Sequence, residues 1–355
     1  MIKVGNEREI KFQKELRYER QRNYDIHEYD YHTWKFQNAG IKKVYKNFNF
    51  SIFVDDYCNA DCKFCVAQLR YSHRNEMYQK GHIADDLEYL KRLEQVLELI
   101  RPLNPSISIT GGEPTLSPKL PEILRLVHSY GFRKRTITTN GSGLLKRVDG
   151  TEHVIEQLIR YQWNHLNISR VSRDDNQNRS IMRYGREEEY CDNQMLKEIL
   201  SITNQSTLNH RLSCLLLQES VNSVTKMKEY LDFYGELGVN NVIFRELMDV
   251  SKDSINQEKI QYCLDNKVRL NDIWEDFEQY PEFEPYLNIL GYYYYVEIYR
   301  YHNMIVASES ADLNQQYIEK EKHPDMVYEM IFHPNGNLCG SWVDHEEILD
   351  EYRNR

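Results

Sequence analysis

The sequence predicts an α/β fold: a partial (β/α)6 barrel of the TIM type, with an N-terminal extension and a C-terminal β-rich cap. Three observations predict it. Between residues 48 and 245, short runs rich in β-formers alternate with segments whose apolar residues recur at helical spacing. Gly, Pro and Asn punctuate the ends of several runs, as turn residues do. After about residue 250 the alternation stops and hairpin patterns replace it. Strands that alternate with helices make a parallel sheet, because parallel neighbours need a crossover. Right-handed crossovers curl such a sheet into a full or partial barrel, and sites in such folds lie at the C-terminal ends of the strands.

Residues 1–47 are polar, aromatic and rich in both charges, with one helix expected over about 7–20 and residues 29–45 laid across the main domain. Residues 48–54 (FNFSIFV) are the first strand. The polar connection 66–83 carries Arg70, His73 and Arg74. Leu87, Leu90, Leu93, Val96, Leu97 and Ile100 fall on or near one face and predict a helix over 84–101, stopped by Pro102. Strand 106–110 leads through Gly111-Gly112-Glu113-Pro114 to helix 118–130, ended by Gly131. Strand 135–139 leads through Asn140-Gly141 to a helix around 152–161. Strand 165–169 leads through a polar segment to a helix near 193–203. Strand 210–217 precedes a helix over about 223–237, and strand 240–245 closes the series. Residues 251–288 read as helical and charged. A hairpin is expected in 292–308 around His302-Asn303, and a second in 326–342 around Asn335-Gly336, a strong two-residue turn signal. The expected domains are therefore 1–47, 48–250 and 251–355.

Bulk properties bound the function. A chain of 355 residues with 41% hydrophobic content can bury a large core. A net charge of −10 argues against general nucleic-acid binding, which usually needs a basic surface. No apolar run approaches a membrane span, and the charged N-terminus lacks the apolar core of a secretory signal. Seven cysteines, three of them clustered, fit a reducing compartment better than a disulfide framework, so the expected location is the cytoplasm. The 27 tyrosines read first as packing and second as a substrate groove.

The chemistry centres on Cys58, Cys62 and Cys65, a C-x3-C-x2-C array directly after the first strand. Thiolates are soft ligands that suit iron–sulfur clusters or zinc. A closed zinc site or an ordinary four-iron cluster takes four protein ligands, so three leave one metal position open to something that reacts. A zinc loop completed by a distant Cys or His is the alternative.

The array resembles the signature of the radical S-adenosylmethionine (SAM) enzymes, over roughly residues 48–250, and the layout is similar to the MoaA/SPASM-like branch without an auxiliary-cluster motif. The resemblance implies the radical SAM kind of partial barrel. It also implies a [4Fe–4S] cluster on Cys58, Cys62 and Cys65, with SAM chelated at the fourth iron. Reductive cleavage then yields methionine and a 5′-deoxyadenosyl radical that abstracts hydrogen from a substrate. An electron donor such as flavodoxin or ferredoxin is implied as a partner.

Cofactor contacts follow residue by residue from that resemblance. Phe64 stands where relatives place an aromatic beside adenine. Gly111, Gly112, Glu113 and Pro114 stand where the family meets the SAM amino group: the glycines admit a close ligand, and Glu113 accepts from the cation. Thr139 and Asn140 end the third strand near cluster and SAM. Ser169 matches a polar position that binds SAM ribose or carboxylate. Arg173, Arg183 and Arg170 are candidates to clamp the carboxylate, although the run from Arg170 to Asp175 departs from the commoner Leu-Asp-Ser pattern. Leu217 and Phe244 lie at the fifth and sixth strand ends, the latter beside adenine, chiefly through backbone. Glu246 either faces the pocket or is structural. Each motif also has a plain reading as a turn, a packed aromatic or a solvated charge.

Cys214 and Cys339 are candidate hydrogen-atom donors to a substrate radical; the other reading of Cys214 is a buried small apolar residue. The favoured substrate is a peptide or peptide-like natural product, followed by a nucleotide or other small metabolite. A basic pocket of Arg70, Arg74 or Arg173 would favour a phosphorylated ligand, and an open groove lined by tyrosines 292–295 a peptide. From another class, the chain could be a non-catalytic metal-binding protein on the same fold.

Overall fold

Parallel strands curl around the centre of the molecule, each feeding a helix on the outside. The computed structural model describes residues 8–19, 31–69, 81–148, 150–249, 256–311 and 313–353. The strands are β1 (Asn49–Phe53), β2 (Ser106–Thr110), β3 (Lys134–Thr139), β4 (His165–Ser169), β5 (Asn209–Leu215) and β6 (Asn241–Arg245). Each pairs in parallel with the next. The crossovers are α1 (Asp86–Ile100), α2 (Leu120–Tyr130), α3 (Val154–Arg160), α4 (Asp175–Met182) with α5 (Asn193–Thr203), and α6 (Val224–Glu236).

Alternation along each strand builds two unlike faces. Phe50, Ile52, Ile107, Ile109, Ile137, Leu166, Ile168, Leu212, Val242 and Phe244 are fully buried and join the core that the helices cover. The inner face is polar. Asn49 donates to Ser51 at 2.8 Å and to Ser108 at 2.9 Å. Farther round, Asn167 donates to Thr138 at 3.3 Å and accepts from Arg211 at 2.9 Å. Arg245 donates to Ser213 at 3.1 Å and pairs with Glu309 at 3.0 Å.

Helix starts follow the local sequence. Asp85, Asp174, Asp192 and Ser223 each accept a backbone N–H in the first turn of α1, α4, α5 and α6. Gly131 closes α2 at φ +60°. After β6 come α7 (Gln257–Asn266) and α8 (Leu270–Asp276), and then a meander of β7 (Phe283–Leu290), β8 (Tyr294–Tyr301) and β9 (Met304–Ala311). The region after residue 250 prolongs the barrel sheet at both edges. β9 pairs in parallel with β6, and β10 (Met330–Phe332) pairs in parallel with β1. β11 (Leu338–Cys339) and β12 (Ile348–Asp350) follow antiparallel.

Four local expectations are corrected. The helix over 7–20 is instead a strand, Arg8–Lys11, paired with β7, and a short helix, Leu16–Glu19; edge pairing overrides the helical pattern. The helical reading of 251–288 holds for α7 and α8 but fails at β7, where Pro285 lies at a bulge against β8. The polar segment before α5 contains α4. Asn335-Gly336 is no two-residue turn, because Phe332 pairs with Leu338 and the loop runs from 333 to 337, with Gly336 at φ +81°. The His302-Asn303 turn stands, since Tyr301 pairs with Met304. Residues 31–36 and 40–45 form a hairpin beside Met326–Val327. Among the described residues no helix is long and apolar enough to cross a membrane.

Candidate functional site

The loop that leaves β1 carries three unpaired, half-buried thiols, Cys58, Cys62 and Cys65. It is braced from several sides. On one side Gly112 N–H donates to Asp55 O at 2.6 Å and Glu113 N–H donates to Tyr57 O at 2.7 Å. A Cβ on Gly112 would lie 1.9 Å from Tyr57 O, so only glycine permits this approach. On another side the end of α4 runs beside the loop: Ala60 bridges Tyr184, Asp61 N–H donates to Arg183 O at 3.2 Å, and Lys63 N–H donates to Ile181 O at 3.1 Å. Arg183 turns there at φ +50°. From α7, Lys259 donates to Asp61 Oδ1 at 2.7 Å, to Asp61 O at 3.3 Å and to Cys62 O.

Glu113 ties the second brace to β3. One carboxylate oxygen accepts from the Thr115 N–H and hydroxyl and from the Thr139 hydroxyl, and the other accepts from Asn140 N–H at 2.7 Å. Burial raises its pKa despite these donors. Asn140 Nδ2 lies 4.0 Å from Cys58 Sγ and donates to Asn59 at 2.9 Å, and its own oxygen accepts from Ser142. Asn59 in turn donates to Ser142 at 3.1 Å and to Glu189 O at 2.8 Å. The sequence-predicted Gly111, Gly112, Glu113, Thr139 and Asn140 are thus brought together beside Cys58.

Burial favours the thiol form of Cys58 and Cys62. Burial pushes Cys58 up to about 11, against the Ala60 N–H that donates to its sulfur at 3.4 Å; Glu113, Cys65 and Asp61 raise it further. Burial also raises Cys62, as do Cys65 and Cys58, while Lys259 opposes. Three thiols on one loop, with N–H groups aimed at a sulfur, suit an iron–sulfur group, whose thiolate ligands accept such bonds. Among the described residues no set of three or more His, Cys, Asp or Glu side chains is drawn together as a single metal ion requires.

The remaining candidates scatter. Phe64 and Leu217 share an apolar cluster with Val171, Ile181 and Met182 beside the loop. Ser169 lies on the inner face at the end of β4, half-buried. Pro114 opens a buried 3-10 turn. Arg170 is fully buried and bonds Tyr234, Asp175, Asn193 and Cys191 O, so its guanidinium is structural. Arg183 pairs with Glu258 and with Asp61. Arg173 pairs with Glu229 at 3.0 Å on a cavity of about 760 Å³ whose lining includes no residue of the cysteine loop or of the inner face. Phe244 packs outward on Tyr230 at 5.6 Å, leaving only its backbone to face inward. Glu246 lies 4.0 Å from Lys267. Cys214 and Cys339 are fully buried and bonded to carbonyl oxygens of Leu215 and Asp344, so neither thiol opens to the inner face. Of the tyrosines 292–295, Tyr292 and Tyr295 are buried in the core and Tyr293 and Tyr294 are half-buried. Arg70, His73 and Arg74 lie outside the described residues.

Sequence reasoning missed Asn59, Ser142 and Lys259. Asn59 stood inside the cysteine array and was legible by position. Lys259 lies about two hundred residues away in a charged helix, and nothing in its neighbours marks it.

Residues 52–194 match the model of the radical SAM superfamily. A GTP 3′,8-cyclase of Marinobacter nauticus is 30% identical over 225 residues, 61% of this chain and 58% of that protein. GTP 3′,8-cyclase 1 of Mycobacterium tuberculosis is 34% identical over 103 residues, 27% of this chain and 26% of that protein. The chain thus spans between about a quarter and just over half the length of these curated relatives. In structure it is similar to Streptococcus suis SuiB bound to the precursor peptide SuiA, with a TM-score of 0.53 and 18% identity, over 83% of this chain and 59% of that one.

Proposed function

We propose that the chain, whose residues 52–194 match the radical SAM superfamily, is an enzyme of that family that opens radical chemistry on a substrate held against the inner face of the barrel. The observation that carries the proposal is the three-thiol loop locked to the Gly111–Pro114 turn. Cys58, Cys62 and Cys65 would hold a [4Fe–4S] cluster. When bound, that cluster with SAM supplies the one-electron cleavage that makes a 5′-deoxyadenosyl radical. The chain's own residues supply placement. Gly112 and Glu113 N–H groups fix the approach to Cys58, and Asn140 and the Ala60 N–H orient its sulfur. Phe64 and Leu217 give an apolar wall beside the loop.

The substrate we favour is a small, hydrophilic, anion-bearing metabolite of the nucleotide kind. Its support is the polar inner face, where Arg211 bonds Asn167, and Arg245 bonds Ser213 and pairs with Glu309 at 3.0 Å; arginines there suit phosphate or carboxylate. The relatives named GTP cyclases point the same way. A peptide is the second reading: the fold shared with SuiB supports it, and the burial of Tyr292 and Tyr295 leaves only Tyr293 and Tyr294 of its expected groove partly exposed.

The test is anaerobic. Reconstitution with iron and sulfide should give about four irons per chain, and SAM with dithionite should then give 5′-deoxyadenosine. Cys62→Ala should abolish both. Zinc in place of iron, or a cluster with no SAM cleavage, sinks the reading and promotes the metal-binding rival. With GTP as the anionic probe, Arg245→Met should weaken binding at least tenfold while leaving substrate-free SAM cleavage in place. Equal binding by the variant, or preference for a peptide library over GTP, removes the small-anion reading.

A further inference from the structure

A buried lysine from outside the family-matched region grips the backbone of the cysteine loop. Lys259 lies on α7, whereas the match ends at residue 194. Its side chain is only 3% exposed, and an ammonium that deep must spend its three protons on acceptors. All three acceptors found belong to the cysteine loop: Asp61 Oδ1 at 2.7 Å, Asp61 O at 3.3 Å and Cys62 O. Two of them are main-chain carbonyls, one of a cluster-ligand candidate and one of its neighbour. Arg183 approaches the second Asp61 carboxylate oxygen at 3.7 Å, and the Asp61 side chain is 55% exposed. The lysine's local origin is plain. Asn256 caps α7 by accepting from Lys259 N–H at 3.2 Å, which sets this residue in the first turn, facing the loop.

Resting on the radical SAM reading above, we propose that Lys259 is a positioning residue for the iron–sulfur cluster: it fixes the Asp61 and Cys62 carbonyls and sets one buried positive charge beside the cluster. The geometry does two things. It orders the loop before any metal arrives, because three bonds from one rigid helix restrain two successive peptide groups. It also stabilises the more negative, reduced cluster, since nearby net charge and hydrogen bonding set cluster potentials. The C-terminal third of the chain would thereby bear on the cluster's potential.

The experiment uses the full chain, wild type beside Lys259→Met and Lys259→Arg. Hydrogen exchange of the 58–65 amides is read before reconstitution. Iron per chain and the cluster midpoint potential are read after it, without SAM or substrate. Wild type without about four irons overturns the radical SAM reading and this proposal together. With wild type loaded, Lys259→Met should speed loop exchange at least tenfold. It should also shift the reduced-to-oxidised ratio at least tenfold toward oxidised, about 59 mV downward for one electron. Lys259→Arg should stay within about threefold of wild type on both. Iron lost in Met but kept in Arg supports the proposal as well. Unchanged exchange and potential in Met, or equal loss of iron in both variants, overturns it and leaves the radical SAM reading intact. If Lys259→Met does not fold, Asp61→Asn decides, because it removes the exposed carboxylate that faces the ammonium. Its potential should rise by the same tenfold ratio, and no rise overturns the proposal.

Discussion

Gly112 has no room for a side chain, and that single fact links two distant motifs. A Cβ there would lie 1.9 Å from Tyr57 O, and the 2.6 Å bond from its N–H to Asp55 would have to break. Gly112→Ala should therefore fold but hold less than one iron per chain after reconstitution, read against its circular dichroism. The glycines and Glu113 were legible in the sequence as a site. Their partners were not, because a bond from backbone to backbone across 57 residues, from Gly112 to Asp55, leaves no trace in side-chain identity. His165 carries the pH prediction at this scale. Burial, with Lys134 and Arg211 nearby, lowers its pKa from 6.5 to about 4. The folded state then resists protonation that the unfolded chain accepts, so stability is held above about pH 6.5 and lost as pH falls toward 4. Denaturant midpoints measured between those values should fall for wild type and stay flatter for His165→Gln.

The element that most shapes the cysteine loop is α4, which the sequence pattern did not reveal. Its stretch DNQNRSIM buries only Asn178, Ile181 and Met182, too few for a helical stripe. The available signal was its cap: Asp174 accepts from Gln177 N–H at 2.7 Å. The longer helices were legible because their apolar faces pack on the outer row of the sheet, as with Leu93, Val96, Leu97 and Ile100 of α1. β7 was misread for the opposite reason: its place depends on a pairing with β8 and with residues 8–11 that no local pattern carries. Because the end of α4 bonds Asp61 and Lys63, its cap has a remote effect. Asp174→Ala should cost about 1 kcal/mol of stability. It should also raise the exchange rates of the Asp61 and Lys63 amides more than those of α1, measured by mass spectrometry on the same sample.

At the scale of the whole molecule, β1 sits between β2 and β10, strands that come from opposite ends of the chain's order. The strand that launches the cysteine loop is thus completed by residues near the C-terminus, and β9 likewise completes β6. The sequence showed the βα rhythm of 48–250 and the hairpins after it, but rhythm cannot say which sheet edge a later strand joins. The energetic consequence is testable. Met330, Ile331, Phe332, Val306 and Leu338 are fully buried, and burying such a side chain is worth roughly 1.5–3 kcal/mol. Several together match the ~5–15 kcal/mol that holds a typical domain. A piece comprising residues 48–250 would keep the loop's backbone braces from the Gly112 turn and the end of α4 while losing those from α7, yet it would expose both edges of its sheet and the core beneath them. We therefore expect that piece to show no cooperative thermal transition and no cluster uptake, while co-expression with 251–355 restores both. A sharp transition with about four irons in the isolated piece would instead make 48–250 a domain in its own right, and the C-terminal strands an accessory to it.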